Sequence, residues 1–229
     1  MTPKFYKVGG AVRDEIMGVK PKDIDFAVEC ESFDAMRQSI LERGGQIFLE
    51  TPQYFTIRAK VPDLGAADFV LCRKDGQYDD GRHPSSVSVG NIFDDLSRRD
   101  FTINAIAKDV DNLKILDPHN GRVDIQEKRI KCVGEPIARF NEDKLRIFRA
   151  VRFAITKKFG FDFETEAAML KYHAKDFANI STERIREELV RAFAFDTFRT
   201  FDFIWNRFPE LAHVMRERGI WLKPTTEQV

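Results

Sequence analysis

The sequence predicts an α+β protein in two parts, a mixed-sheet domain over residues 1–134 and an α-helical domain over residues 135–229. Three observations carry that expectation. Up to about Val133, short apolar runs alternate with glycine, proline, asparagine and aspartate, the texture of strands joined by turns. From Phe140 onward glycines thin out and apolar residues recur at helical spacing. Between the two lies Gly134-Glu135-Pro136, a breaker that marks the boundary.

Composition narrows the function. Hydrophobic residues make up 43% of the 229 positions and charged residues 32%, as in a globular chain with one large core or two smaller ones. Lys plus Arg and Asp plus Glu both number 37, so the net charge is zero. That argues against binding nucleic acid over the whole surface and leaves a local basic stripe open (Lys144, Arg149, Arg152, Lys157, Lys158). Cys30, Cys72 and Cys132 lack metal-ligand spacing and cannot all pair, which fits reduced thiols in the cytoplasm. No signal peptide opens the chain, and no apolar run approaches the length of a membrane span.

Taken in order, Phe5–Val8 reads as a strand ending at Gly9-Gly10, where the backbone can approach a ligand closely. Ala11–Met17 reads as a short helix whose first amides, with Arg13 one turn in, offer a place for phosphate. Asp23–Val28 alternates like a strand, with Asp23 and Asp25 on one face and Ile24 and Phe26 on the other. Two carboxylates that close repel each other unless a cation lies between them, and such hard oxygens suit Mg²⁺ with substrate phosphates. Alone, a Gly-Gly is most often a turn and an Asp-x-Asp a solvated face; their close succession is what points to nucleotidyl transfer.

Phe33–Glu42 is expected as a helix, Gly44-Gly45 as a turn, and Gln46–Leu49, Tyr54–Ala59 and Ala67–Cys72 as strands. Asp68 in the last has two readings, an edge-strand residue facing water or a third carboxylate beside Asp23 and Asp25. Arg73–Val89 reads as one long polar loop of the kind that carries function. Arg98 and Arg99 precede the apolar stretch Phe101–Ala107, in which Asn104 would be a buried amide in need of a role. Asp117–Gly121 is a turn and Arg129–Val133 a last strand.

In the helical part, Asn141 is expected to cap a helix over Glu142–Lys158, followed by helices over Asp162–Phe177, Ser181–Phe195 and Asp196–Phe208, with Pro209 stopping the last. Ile185, Leu189 and Phe193 form a core stripe, with Arg184, Arg186 and Glu187 on its wet side. In the first helix Asp143 and Arg146 would share a face, with Arg149 and Arg152 continuing the row. The row is either a surface neutralised by Glu142 and Asp143, or a carboxylate and a guanidinium offered to the edge of a base. An aspartate accepts from the exocyclic amine of cytosine or adenine, and an arginine donates to the adjoining ring nitrogen. Uracil and guanine present a carbonyl there and would repel the aspartate.

With these motifs assembled, the chain resembles the class II CCA-adding enzymes (tRNA nucleotidyltransferases) and their relatives, the bacterial poly(A) polymerases. The matching residues are Gly9-Gly10-x-x-Arg13-Asp14 with Asp23-x-Asp25, Asp80–Pro84, Arg98-Arg99-Asp100-Phe101-Thr102-x-Asn104-Ala105, Asp117-Pro118-x-x-Gly121, Glu142-Asp143-x-x-Arg146-x-x-Arg149-x-x-Arg152-Phe153, and Glu183-Arg184-Ile185-x-x-Glu188-Leu189. They fall in family order from residue 5 to about residue 195.

The resemblance implies a polymerase β-like nucleotidyltransferase head, with Mg²⁺ on Asp23 and Asp25 and Asp68 as a further catalytic candidate, followed by a helical neck. It places Gly9, Gly10, Arg13, Arg98, Arg99, Asp100 and Asn104 in nucleotide-binding motifs; Gly10, Arg13 and one or both paired arginines would hold the triphosphate. Glu142, Asp143 and Arg146, backed by Arg149 and Arg152, would select CTP or ATP. The implied reaction is attack of an RNA 3′-hydroxyl, foremost that of tRNA, on the α-phosphorus. One metal ion would lower the pKa of that hydroxyl, and another would neutralise the departing oxygens. The alternatives are poly(A) addition, addition of A or CC alone, and a non-catalytic regulator, against which intact Asp23 and Asp25 count. Family members usually continue into body and tail domains that grip tRNA. Their absence leads us to expect a partner or a homodimer to supply that grip.

Overall fold

The structure, a computed structural model, describes residues 2–76 and 85–220. The chain forms two compact units: the described residues up to Glu127 with Lys131–Gly134, and Lys128–Ile130 with the residues from Glu135 on. In the first unit the elements run β1 (Lys4–Val8), α1 (Gly10–Ile16), β2 (Asp25–Glu29), α2 (Phe33–Glu42), β3 (Gln46–Thr51), β4 (Thr56–Val61), β5 (Gly65–Leu71), β6 (Arg73–Asp75), β7 (Val87–Val89), α3 (Ile92–Ser97), β8 (Ala107–Asp109), β9 (Ile115–Leu116) and α4 (Gly121–Gln126).

Seven strands form one mixed sheet in the order β3-β4-β5-β2-β1-β8-β9. Only β2 and β5 run parallel among these neighbours. Strand alternation sends consecutive side chains to opposite faces, and both faces are covered. Phe5, Phe26, Ile57, Phe69 and Leu71 pack with Met36 and Ile40 of α2; Tyr6, Val8 and Ala27 pack with Ile92 and Leu96 of α3. Phe69 lies at the centre of the first layer, stacked on Phe26 at 5.1 Å and edge-on to Phe5 at 6.0 Å. Register then fixes one end of the sheet, because Val8 pairs with Asp25 and Asp25 with Asp68. The glycine turn after β1, the start of β2 and the middle of β5 are thereby neighbours.

Three expectations for this unit need correction. Asp23 lies in a bend and not on the strand, which begins at Asp25. On the β1 side pairing ends there: β1 stops at Val8 and its chain turns away at Gly9, so a strand upstream of Asp25 would have β5 alone as a neighbour. Arg73–Val89 is not all loop, since β6 and β7 pair antiparallel from Arg73–Val89 to Asp75–Val87; the Asp80–Pro84 motif lies outside the described residues. The expected strand Arg129–Val133 is divided. Cys132 bridges Phe101 in the first unit, while β10 (Arg129–Ile130) pairs in parallel with β11 (Gly160–Phe161) in the second.

The second unit continues with α5 (Pro136–Glu142), α6 (Leu145–Thr156), α7 (Phe163–Met169), α8 (Thr182–Phe195), α9 (Thr197–Asp202), a π-helical turn (Phe203–Arg207) and α10 (Pro209–Glu217). Its core holds Phe148, Val151, Phe177, Ile185, Leu189 and Ile204, with Phe148 and Phe177 edge-on at 5.3 Å. The expected helix over Glu142–Lys158 is broken at Asp143, which is extended (φ −152°, ψ 103°). Its carboxylate accepts from the Leu145 amide at 3.0 Å and so starts α6 afresh. Asn141 caps nothing; its side chain accepts from the Tyr172 hydroxyl at 2.9 Å. The expected helix over Asp162–Phe177 likewise ends early, at Met169, with a 3₁₀ turn at Ala174–Phe177. Pro209 opens α10 as its first residue, where its missing N–H is not needed. No described helix is long and apolar enough to cross a membrane.

Gly121 shows why one turn motif is spelled as it is. Asp117 accepts from the Gly121 and Arg122 amides at 2.7 and 2.9 Å, and a Cβ on Gly121 would lie 2.1 Å from the Thr102 carbonyl oxygen. Backbone cannot yield there as a side chain would. Gly121→Ala is expected to destabilise the protein by about 2–3 kcal/mol, read as a lowered midpoint in urea unfolding.

Candidate active site

Gly9 ends β1 with φ 66° and ψ −132°, a conformation that glycine alone adopts without strain. A Cβ there would also lie 2.8 Å from Nη1 of Arg99. Arg99 is placed by Asp95 of α3, whose side chain is 1% exposed. Oδ2 of Asp95 accepts from Arg99 Nη2 at 2.8 Å and Nε at 3.2 Å. Oδ1 accepts from Arg98 Nε at 2.9 Å and Nη2 at 2.5 Å. Burial alone would raise the pKa of Asp95, but Arg99 and then Arg98 overcome it and hold the carboxyl below the ordinary carboxylate range.

Arg13 is buried. It donates to Asp14 Oδ1 from Nε and Nη2 at 2.9 and 2.8 Å, and to Asn104 Oδ1 from Nη1 at 2.6 Å. Asn104 in turn donates to Asp100 at 3.1 Å, and Asp100 accepts from the Phe101 amide. Asn104 thus has its role, as the link between α1 and the turn after α3. Gly10 gives this network room, since a Cβ on it would lie 3.4 Å from Arg13 Nη2.

Asp25 is the perturbed carboxylate. Desolvation at the strand end raises its pKa most, the charges of Asp68 and Asp23 raise it further, and Arg99 and Arg58 partly offset them. Asp68 is beside Asp25, on an internal strand and not an edge. Both its oxygens are nevertheless taken by Arg58 of β4, Nε to Oδ1 at 2.7 Å and Nη2 to Oδ2 at 2.8 Å. Among the described residues, no three His, Cys, Asp or Glu side chains are grouped to hold a metal ion. Asp23 and Asp25 are the two carboxylates that could hold a metal ion here, and the charge of Asp23 acts on Asp25. Mg²⁺ asks for no more, since it binds through one or two carboxylates with waters and substrate phosphates. The mutual repulsion raising Asp25 is the electrostatic deficit that a cation would fill.

In the second unit Asp143 and Arg146 do not share a helical face. Arg146 pairs with Glu142 at 2.5 Å and donates to the Arg139 carbonyl at 2.8 Å, so it bridges the break between α5 and α6. Asp143 accepts from Arg184 of α8 at 2.9 Å. Glu188, one turn along α8, accepts from Arg152 and lies 3.6 Å from Arg149. Arg184 is therefore not simply on the wet side of its helix. Sequence reasoning passed over Asp95, Arg58 and the roles of Arg184 and Glu188. Asp95 was within reach through its i+3 and i+4 spacing to Arg98 and Arg99; the others depend on strand register or on pairings about 40 residues apart.

Asp95 gives a pH-dependent prediction. Its folded pKa is depressed, so its stabilisation is fully present above the unfolded carboxylate value near 3.9 and is lost as pH falls through the folded value. At pH 7, Asp95→Ala is expected to cost roughly 3 kcal/mol, because it strands two partly buried guanidinium groups. The stability gap from the native protein should narrow steadily below about pH 4, as followed by denaturant unfolding across pH.

Comparison with known proteins agrees with this architecture. The family described as "Poly A polymerase head domain" matches residues 5–131. A CCA-adding enzyme of Staphylococcus saprophyticus is 37% identical over 220 residues, covering 92% of this chain and 49% of the relative. Another from Geobacillus thermodenitrificans is 35% identical, covering 95% and 53%. Among solved structures, the Bacillus stearothermophilus CCA-adding enzyme in complex with CTP aligns with a TM-score of 0.75 at 32% identity, covering 89% of this chain and 48% of that one. The chain spans about half the length of the curated relatives it matches. With more than half of its residues matched by one family and the mixed sheet and glycine turn in place, the chain belongs to the poly(A) polymerase head-domain family, alongside the CCA-adding enzymes.

Proposed function

We propose that this protein is a template-independent RNA nucleotidyltransferase that adds CMP and AMP from CTP and ATP to the 3′ end of RNA, the CCA end of tRNA being its target. The observation that carries the reading is the register that sets Asp25 opposite the end of β1 before the Gly9 turn and beside Asp68, where burial first, and then the charges of Asp68 and Asp23, raise its carboxyl. Similarity supports the substrates: a related structure is described as a tRNA nucleotidyltransferase with a primer tRNA and an incoming ATP analogue, at 27% identity and a TM-score of 0.66, covering 95% of this chain and 58% of that one. Three buried cysteines, none in a disulfide, fit a reducing cytoplasm.

Each residue has a task in this reading. Asp23 and Asp25 would hold Mg²⁺, which when bound supplies charge neutralisation for the α-phosphate and the attacking hydroxyl. Arg99, fixed by Asp95, stands against the Gly9 turn as the guanidinium offered to the triphosphate. Arg13, buried and bonded to Asn104 and Asp14, would support the turn that receives the triphosphate. Arg58 keeps Asp68 paired, so Asp68 serves as an electrostatic neighbour of Asp25 and not as a metal ligand. Asp143 and Arg146 would read the exocyclic amine and ring nitrogen of C or A.

Two experiments test this. Asp23→Ala and Asp25→Ala are each expected to abolish incorporation of labelled CTP and ATP into tRNAs ending before or within CCA, with circular dichroism unchanged. Near-normal turnover by either variant with Mg²⁺ present would refute the catalytic assignment. Asp143→Ala should reduce discrimination against UTP and GTP by about ten- to a hundred-fold in kcat/KM, because the acceptor that repels their carbonyls is gone. Arg146→Ala should lower use of CTP and ATP without making UTP or GTP good substrates. Addition of long AMP runs to any 3′ end would instead assign poly(A) synthesis.

A further inference from the structure

The sheet face that α3 covers carries a concavity at the end of β1 and β2 away from the Gly9 turn. Register builds it. Lys4 pairs with Glu29 and Tyr6 with Asp109, and residues two apart on a strand share a face. These side chains therefore project together, and Ile92, Phe93 and Leu116 complete a cavity of about 410 Å³ that lies wholly within the first unit. Two polar atoms of its lining are unsatisfied. Tyr6 is only 4% exposed, yet its hydroxyl makes no hydrogen bond among the described residues. Glu29 gives Oε2 to the Ile92 amide at 2.8 Å, and its Oε1 has no partner among the described residues. A buried hydroxyl without a partner is unfavourable, and a ligand that bonds it removes the penalty.

The local charge selects the ligand. Burial first, and then the charges of Glu29 and Asp109, push the pKa of the Tyr6 hydroxyl up to about 12, so it stays protonated beside two carboxylates. Lys4 and Lys114 are exposed at the rim, and among the described residues neither forms an ion pair with those carboxylates. An anion finds no amides at the adjoining start of α3, because Glu29 takes that of Ile92 and Asn91 takes those of Phe93 and Asp94 at 2.8 and 3.0 Å. A divalent metal ion finds no group of three ligating side chains among the described residues. An ammonium group meets neither obstacle. Its three N–H donors match the Tyr6 oxygen, the remaining Glu29 oxygen and Asp109, which the Asp111 and Asn112 amides fix at 2.9 and 3.1 Å. Beside them, Ile92, Leu116 and the half-exposed Phe93 ring offer apolar contact to a methylene stem.

We propose that this cavity binds a small organic ammonium ion of the linear polyamine class, with Tyr6 and Glu29 holding its head group and Ile92, Phe93 and Leu116 lining its stem. The site is distinct from the metal carboxylates, since Glu29 and Asp25 are the two ends of β2, about 13 Å apart along the strand.

Calorimetric titration of the full chain with putrescine and with spermidine tests this, at fixed ionic strength and without nucleotide, RNA or Mg²⁺. One saturable site per chain is expected. Tyr6→Phe removes only the hydroxyl and should weaken binding about five-fold; Glu29→Gln removes the charge at nearly constant shape and should weaken it about ten- to a hundred-fold. Asp25→Asn should leave the affinity unchanged, and sodium phosphate should give no binding. Spermidine should also raise the urea unfolding midpoint, and raise it less in Tyr6→Phe, which keeps the test decisive if Glu29→Gln fails to fold. Three results would overturn the assignment: no saturable binding at millimolar amine, binding that both Tyr6→Phe and Glu29→Gln leave intact, or binding lost in Asp25→Asn, which would place the amine at the metal carboxylates.

Discussion

The buried carboxylate of Asp95 governs the end of the first unit that carries the Gly9 turn. It receives four hydrogen bonds from two arginines, and a charge so fully enclosed is tolerated only because its oxygens are satisfied in this way. Its grip directs Arg99 toward Gly9, where the guanidinium comes closer than any side chain at that position would allow. A side chain at position 9 would displace the Arg99 guanidinium from this place, besides straining the backbone at φ 66°. Burial raises the pKa of Asp25, and Arg99 offsets part of that rise, so the residue that Asp95 holds also acts on Asp25 electrostatically.

Around Asp25 the distribution of charge matters more than the number of carboxylates. Three aspartates act on one another there, which would be unfavourable without compensation. Arg58 compensates one of them through a two-pronged bond to Asp68, whose geometry leaves that carboxylate little freedom. Arg99 and Arg58 offset only part of the rise at Asp25. The bend before β2 adds to this, because Asp23 is not held by a strand ladder and keeps freedom to adjust around a small cation. A rigid aspartate at the first strand residue and a pliant one two residues earlier suit a metal that takes most of its remaining ligands from water and phosphate.

Much of this was legible in the sequence, and the failures share a cause. α2 was readable because one amphipathic period and an N-cap serine define it locally, and β5 because its apolar run is unbroken. The glycine turn and the two arginines were found because their chemistry is spelled by neighbouring residues. What could not be read depends on partners distant along the chain. Strand β2 begins at Asp25, where it loses β1 as a neighbour because β1 stops at Val8, a limit that alternation within Asp23–Val28 does not contain. Asp68 was left between two readings because its strand position and its Arg58 partner are both matters of register. Arg184 looked like a solvated residue because its partner lies 41 positions earlier.

The helix break at Asp143 replaces the expected local arrangement of Asp143 and Arg146 with a different one. Within a continuous helix, Asp143 and Arg146 would be adjacent on a surface and would satisfy each other, with little left for a ligand. In the structure they are divided. Asp143 goes to Leu145 and Arg184, and Arg146 goes to Glu142 and the Arg139 carbonyl. Arg146 thereby closes the exposed end of α5 with a positive charge, the favourable sign at a helix C-terminus. The carboxylate and the guanidinium do not neutralise each other, and each is oriented by its own partners. Separate anchoring is what selection of a base edge requires, since an acceptor and a donor that bond each other present neither group to a ligand.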